Sequence, residues 1–272
     1  MSGITIVPPG RLNLPPLRDL WDAREVAWVF GRRDIVLRYR QTAIGVLWVV
    51  LQPLVGAGIF SIIFGGVAKL PSDGVPYFMF SYVGMLVWNV FATVLTRASA
   101  SMVANQQLVA KVFFPRALVP LSSAVSVLVD FAVAAVLGLI LLFAFHLSPG
   151  LAILMTPFWL LCALLLALGL GLWGAALMVK FRDVAYVVPW LVQIGMYATP
   201  VAYAASAAPA KLRWFFDINP MAWIVEGFRN SFLGLAPNAW WQVVAAPVAS
   251  LAVFTVGLLY FQSRERQFAD LI

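Results

Sequence analysis

The fold is decided by residues 151–179, LAILMTPFWLLCALLLALGLGLWGAALMV, which run for 29 residues without a charged side chain. A helix needs about 20 mostly apolar residues to cross the roughly 30 Å hydrocarbon layer of a bilayer. Asp130 is the only charge in five further stretches that are also long enough to span. These are residues 42–68, 74–96, 117–145, 184–210 and 230–263. With the first stretch extended to 147–179, the sequence predicts an all-α integral membrane protein with six transmembrane helices.

The composition supports this fold class. Apolar residues make up 63% of the chain and charged residues only 11%, whereas soluble proteins carry about 25% charged residues. We expect three regions, which are a cytoplasmic tether with an interfacial helix (1–41), one transmembrane domain (42–262) and a cytoplasmic tail (263–272). The basic first forty residues contain no apolar core of the signal-peptide type, so no cleaved leader is expected.

The distribution of Lys and Arg predicts the orientation. With six spans and the N-terminus inside, 14 of the 18 Lys and Arg residues fall on the cytoplasmic side. The four on the other side are Lys69, Lys211, Arg213 and Arg229. The positive-inside rule therefore predicts a multi-pass protein of the bacterial inner membrane with both termini cytoplasmic. The same basic face is expected to contact membrane lipids, and its charge does not indicate a nucleic-acid partner.

Two segments are expected to differ from simple spans. Residues 17–40 have the pattern of an amphipathic interfacial helix, which Gly31 is expected to interrupt. Residues 184–235 hold one span that ends near Tyr203. The stretch after that span is too polar to cross the membrane and too apolar for a free loop. Because Asn219-Pro220 favours a turn, we expect two short re-entrant helices on the periplasmic side.

Several kinds of chemistry are absent from the sequence. The chain has no Gly-x-x-x-x-Gly-Lys-Ser/Thr phosphate loop, and it has one His and one Cys. No ATP site of that type, no metal site and no catalytic residue are therefore predicted. A secondary transporter without an ATPase and a membrane enzyme that modifies glycans remain as alternatives from other classes. The missing internal repeat argues against the first, and the missing catalytic acid argues against the second.

Motifs along nearly the whole chain resemble one family, the Wzm-type permeases of polysaccharide ABC exporters, which belong to the type-2 ABC exporters. The capsule (KpsM) and teichoic-acid (TagG) permeases are their relatives. The motifs are Arg33-Asp34-Ile-Val-Leu-Arg38-Tyr39-Arg40, Gln52-Pro53-Leu54, Asn105-Gln-Gln-Leu108-Val-Ala-Lys111-Val-Phe-Phe114-Pro115-Arg116, Phe181-Arg182-Asp183, Thr199-Pro200, Asn219-Pro220-Met221, Glu226-Gly-Phe-Arg229 and the tail from Phe261 to Asp270. Thr199 departs from the Ser expected more often there, but it keeps the hydroxyl.

The resemblance implies a transport subunit and no enzyme. It implies a homodimer that forms a channel and two separate ATP-binding-cassette subunits that carry ATP and Mg. It also implies a lipid-linked polysaccharide as cargo, carried on undecaprenyl pyrophosphate. O-antigen is the expected glycan, with capsular polysaccharide or teichoic acid as alternatives. An ATPase-independent flippase of lipid-linked glycans is the alternative from another class.

Four groups of site residues are predicted, each beside a simpler structural interpretation. The first is a loop that docks on the ATPase, which could instead be an ordinary interfacial loop. It comprises Asn105, Gln106, Leu108, Lys111, Phe113, Phe114, Pro115 and Arg116.

The second is a set of arginines placed to meet a lipid pyrophosphate, since guanidinium groups match phosphate oxygens. The alternative is that they only set topology. They are Arg32, Arg33, Arg38 and Arg40.

The third group is a set of aromatic side chains on which sugar rings could stack, the alternative being an aromatic belt at the membrane interface. It comprises Tyr77, Tyr82, Trp88, Phe91, Tyr197, Tyr203, Trp223 and Phe228.

The fourth group is an outer gate in which Glu226 and Arg229 are expected to pair. It comprises Asn219, Pro220, Met221, Glu226 and Arg229. Asp130, a lone acid at membrane depth, is expected to have a structural role.

Overall fold

The computed structural model describes residues 24–40, 45–111, 114–207, 209, 211 and 213–271, and the regular structure in these ranges is helical. The helices are α1 (Arg24–Arg40), α2 (Gly45–Phe60), α3 (Tyr77–Ala104), α4 (Gln106–Lys111), α5 (Leu118–Ala144), α6 (Thr156–Lys180), α7 (Val184–Ala198), α8 (Arg213–Asp217), α9 (Pro220–Leu233) and α10 (Trp240–Leu271). A π-helical segment, Ser61–Val67, extends α2, and short 3₁₀ segments lie at Gly150–Met155 and Ala205–Ala207.

Five helical segments in the described ranges are long and apolar enough to cross a membrane. They are Leu47–Val67, Tyr77–Ala104, Leu118–Ala144, Gly150–Lys180 and Trp240–Glu265. The protein is therefore a helical, multi-pass membrane protein, as its sequence predicts.

The predicted span at 184–210 has a different form. Only Val184–Ala198 is helical there, and its 15 residues reach about 22 Å at 1.5 Å per residue, short of the roughly 30 Å hydrocarbon layer. Thr199 has extended backbone angles of −111° and 139°. Pro200, the next residue, disfavours helical geometry at Thr199, so α7 ends before it.

Helix α3 is the centre of the bundle and packs against α2, α5, α6, α7 and α9. Helix α6 lies between α3 and α10, and glycines allow both contacts. A Cβ on Gly257 of α10 would lie 2.1 Å from the carbonyl oxygen of Gly169, and one on Gly174 would lie 2.2 Å from Oγ of Ser99 in α3. Small residues at such crossings let helix backbones approach closely.

The bundle has two ends of different character. The "α1 end" is where α1, α4 and the C-terminal part of α10 meet, around a cluster that includes Phe30, Val109, Phe261 and Phe268. The "α9 end" is the opposite end of the bundle, where α8 and α9 lie.

Two details near the α1 end correct the expectations. Helix α1 continues through Gly31, where a Cβ would lie 2.6 Å from Cβ of Val125 in α5. This glycine therefore permits a close helix contact and does not break the helix. Arg97, expected beyond the second span, lies inside α3 and donates from Nη1 to Oγ of Ser126 over 2.9 Å.

Candidate coupling and transport sites

Residues 105–111 and 114–116 lie at the α1 end and contact both α1 and α10. Arg33 of α1 donates from Nη2 to Oδ1 of Asn105 over 2.8 Å, and the rings of Phe30 and Phe114 are 5.7 Å apart. On the other side, Arg116 donates from its main-chain N–H to Oε1 of Glu265 over 3.3 Å and from Nη1 to the Glu265 carbonyl over 2.8 Å. The segment is therefore in direct contact with both α1 and α10.

Within this segment, α4 has one buried and one outward face. Val109 is buried in the cluster of the α1 end, while Gln106, Gln107 and Leu108 are exposed. The carbonyl of Pro115 accepts from the N–H of Leu118, at the start of α5, over 3.0 Å. The side chain of Lys111 and all of Phe113 lie outside the described residues. The exposed face of α4 is available to a partner protein.

The arginines predicted to meet pyrophosphate differ in their surroundings. Arg32 is exposed. Arg33 bonds to Asp34 over 3.0 Å as well as to Asn105, and its guanidinium lies 5.1 Å from the centre of the Phe30 ring. Arg33 therefore has a structural function in this conformation. The side chains of Arg38 and Arg40 lie outside the described residues.

At the α9 end the central residue is Arg229, which is 1% exposed. Its Nη1 donates to the carbonyls of Pro200 and Val201 over 3.1 and 3.3 Å, and its guanidinium lies 3.8 Å from the centre of the Phe80 ring. Arg229 thus joins α9 to α3 and to the turn after α7. Local sequence gives no signal for this role, because the carbonyl acceptors are about thirty residues away.

The predicted pairing of Glu226 with Arg229 stays a prediction. Nη1 of Arg229 bonds to the two carbonyls, and the ion pair found within 4.0 Å among the described residues is Arg33 with Asp34. The two groups still interact electrostatically. Burial raises the pKa of the Glu226 carboxyl, and the positive charge of Arg229 partly offsets this effect.

The predicted break at Asn219-Pro220 is present, with α8 before it and α9 after it. Asn219 caps α9, since its Oδ1 accepts from the N–H of Met221 over 3.0 Å. Its Nδ2 donates to Oγ1 of Thr199 over 3.2 Å, which fixes the start of α9 to the end of α7. Pro at the first helical position, after an Asn cap, is a favourable start.

Helix α9 belongs to the core, whereas α8 lies on the surface. Met221, Ile224 and Val225 of α9 are buried, and Nε1 of Trp159 in α6 donates to Oγ of Ser231 over 3.2 Å. In α8, Trp214 is 59% exposed. Of the two short helices after α7, only α8 therefore lies outside the core.

The eight aromatic residues fall into three environments. Tyr82, Trp223 and Phe228 are buried inside this chain, where no cargo reaches them in this conformation. Tyr77 and Tyr203 bond through their hydroxyls to the carbonyls of Ala202 and Tyr197, each over 2.8 Å. Trp88 and Phe91 are also buried, at 3% and 7% exposure, and line the inner wall of a groove under α7. Tyr197, which is 59% exposed, remains a candidate for a passage.

This groove, termed the α7 groove, is an apolar space of about 550 Å³ between α3, α6 and α7. It is lined along its length by Trp88, Phe91, Trp173, Leu177 and Leu191, and it closes at Thr199 and Asn219. Helix α7 covers it loosely, since none of the residues of α7 is buried.

Asp130 has polar surroundings that its sequence context does not indicate. It lines a cavity of about 90 Å³ with Gln52 of α2 and Asn89 and Thr93 of α3. A space of this size and polarity can hold a few water molecules. The four residues come from three separate helices, so only the packing brings them together. An inventory of every polar residue within the apolar stretches would have indicated them.

The five long apolar helices, packed as one bundle around α3, define a polytopic membrane protein. The family model of the ABC-2 type transporter matches residues 25–233, so the chain belongs to that family.

Curated relatives cover most of the chain. It is 29% identical over 264 residues to the O-antigen export system permease protein RfbA of Myxococcus xanthus, with 94% of this chain and 98% of that protein covered. It is 26% identical over 245 residues to the protein of the same name from Klebsiella pneumoniae, with 90% and 93% covered.

Proposed function

We propose that this chain is the permease subunit of an ATP-driven exporter that moves lipid-linked O-antigen across the bacterial inner membrane. The family membership and the names of two relatives that align over nearly their whole length support this function. The structural observation that carries it is the segment 105–116. Its ties through Asn105 and Phe114 to α1, and through Arg116 to α10, suit a surface that receives force from a separate motor.

In this proposal two ATP-binding-cassette subunits, which hold ATP and Mg, dock on the exposed face of α4. A rigid displacement of α4 would move α1 through Arg33 and α10 through Glu265. Since α10 packs closely along α6 where Gly257 meets Gly169, the displacement would continue to α6.

The proposed topology has the α1 end in the cytoplasm and six crossings. The excess of Lys and Arg at that end supports the orientation. Helix α7 runs from the α1 end and stops at the level of Gly84, where a Cβ would lie 2.3 Å from the carbonyl of Val201. Gly84 is two turns inside α3, so the chain turns back within the membrane, where α3 and Arg229 satisfy its carbonyls.

The same geometry supports a re-entrant position for α8 and α9. Arg229 of α9 contacts Phe80, which lies one turn inside a candidate span. We propose that α9 is a fixed wall near the periplasmic surface and that α8 covers the outer mouth between transport cycles.

We further propose that two copies of the chain form the passage along α2 and α7. Both helices present large apolar side chains outward, among them Ile62 of the α2 extension and Trp190 of α7. An apolar face of this kind is compatible with a partner helix or with lipid. Tyr197, on the same open side, would contact the glycan, and Arg32 would contact the pyrophosphate.

A gene deletion in the source bacterium tests the function. We expect loss of O-antigen from the cell surface, accumulation of lipid-linked O-antigen in the inner membrane, and recovery when the gene is supplied in trans. Normal surface O-antigen with loss of capsule or teichoic acid would contradict the proposed cargo. If export persisted after inactivation of the ATP-binding-cassette partner, the ATPase-independent flippase would be the correct interpretation.

A further inference from the structure

A second, smaller cavity opens beside the α7 groove at the α1 end. It has a volume of about 100 Å³ and lies between α6 and α10, lined by Lys180, Phe181, Tyr260 and Arg264. Its two cations come from different helices but face one space. The cavity is therefore a place where a single anion can contact both.

Both cations lie on aromatic rings. Nζ of Lys180 is 5.0 Å from the centre of the Phe181 ring, and the guanidinium of Arg264 is 5.6 Å from that of Tyr260. Glu265, the acid next to Arg264, is turned to Arg116. Asp183, the acid nearest to Lys180 in the sequence, is exposed and does not line the cavity. Among the described residues, the ion pair found is Arg33 with Asp34, so no described carboxylate neutralises this cavity.

The cationic cavity and the α7 groove adjoin one another. Leu177 lines both, and Trp173 of the groove is 5.9 Å from Tyr260 of the cavity in an edge-on ring contact. The cavity with the two cations therefore lies next to an apolar space that extends along α7. This helix is about 22 Å long at a rise of 1.5 Å per residue. That length matches a phospholipid in one leaflet, with its acyl chain and headgroup. An extended polyprenyl chain of some fifty carbons is longer than the groove.

We infer that this composite site binds one anionic membrane phospholipid, with its phosphate between Lys180 and Arg264 and one acyl chain in the α7 groove. Lysine and arginine at the membrane surface attract anionic headgroups, and each contributes about a factor of five to ten. The acyl chain beside Trp88 and Leu191 exchanges contacts with other lipids for contacts with the protein, so the groove contributes fit and the two cations contribute the preference for an anionic lipid. The bound lipid fills the space under the loosely packed α7 and stabilises its position. This inference does not depend on the identity of the cargo.

Native mass spectrometry of the full-length chain in detergent tests the site. Phosphatidylglycerol and phosphatidylethanolamine with identical acyl chains are added at equal concentrations. We expect phosphatidylglycerol to be retained at least fivefold more, because its net charge is negative. In the double variant Lys180→Gln and Arg264→Gln this preference should disappear. Arg182→Gln, which removes an exposed cation that does not line the cavity, is the matched control and should retain the preference.

The groove is tested separately by Val188→Trp, which fills it without changing charge. Retention of both lipids should fall at least threefold. Equal retention of the two lipids by the unmodified chain, or equal losses in the double variant and in Arg182→Gln, would overturn the site. Displacement of phosphatidylglycerol by an equimolar polyprenyl phosphate would also overturn it, because the occupant would then be the carrier lipid of the cargo.

Discussion

Replacement of Gly257 by Ala should destabilise the bundle strongly for so small a change. The new Cβ would lie 2.1 Å from the carbonyl oxygen of Gly169, whereas ordinary contacts begin near 3.4 Å, so α10 and α6 must separate by about 1.3 Å. The obstacle is main chain and cannot rotate away. Overpacking of a tight core costs about 1–3 kcal/mol. Gly58→Ala in α2 is the matched control, because its Cβ meets nothing within 4 Å; it should stabilise α2 by about 0.5–1 kcal/mol.

The assay measures the fraction of protein that remains monodisperse in detergent after heating to a series of temperatures. The midpoint of this curve is the apparent melting temperature. The two effects together amount to about 1.5–4 kcal/mol. With about 2–4 °C per kcal/mol for a chain of this size, Gly257→Ala should melt roughly 3–16 °C below Gly58→Ala. Equal melting temperatures for the two variants would refute the close α6–α10 contact. Gly169→Ala gives an independent check, since its Cβ would lie 2.6 Å from the backbone of Phe254.

Three further changes test other contacts. Tyr82→Phe removes a buried hydroxyl that donates to the Ala134 carbonyl over 2.8 Å, and it should cost about 1 kcal/mol, whereas Tyr203→Phe, with an exposed hydroxyl, should cost little. Arg229→Gln should lower the free energy of unfolding by about 2–3 kcal/mol, because two carbonyls lose a charged donor. Phe114→Ala should lower transport per ATP hydrolysed without loss of insertion, since it removes the ring contact with Phe30.

Each of these has its own contrary result. The Tyr82 and Arg229 variants are measured by the same melting assay. If Tyr82→Phe and Tyr203→Phe have the same melting temperature, the Tyr82 hydroxyl does not act as a buried hydrogen-bond donor. If Arg229→Gln is no less stable than Arg182→Gln, an exposed position, Arg229 does not hold the turn after α7. For Phe114, transport and ATP hydrolysis are measured together in vesicles, and an unchanged ratio would remove the coupling role.

The sequence determines the parts of this structure that depend on local pattern. Apolar length predicts the five spanning helices, and the Asn219-Pro220 pair predicts the boundary between α8 and α9. Apolar length overestimates α7, because apolar composition continues past Thr199 while the helix ends there for the steric reason that Pro200 imposes. Composition alone does not separate a helix from an apolar turn.

Contacts between distant segments account for the remaining differences. Gly31 has the local pattern of a helix breaker, but its function is to admit Val125 of α5. Arg229 and Glu226 have the spacing of a helical pair, but the packing also places the Arg229 guanidinium against two carbonyls of the turn after α7. The cavity around Asp130 likewise forms only when three helices assemble. Residue spacing within one helix cannot indicate such partners.

The most direct measurement of the central claim uses inverted membrane vesicles that contain this chain and its ATP-binding-cassette partner. Labelled lipid-linked O-antigen in the outer leaflet of these vesicles is followed by its protection from an added glycosidase. The account predicts that protection appears only with ATP and only when both proteins are present. Protection without ATP, or with this chain alone, would contradict it.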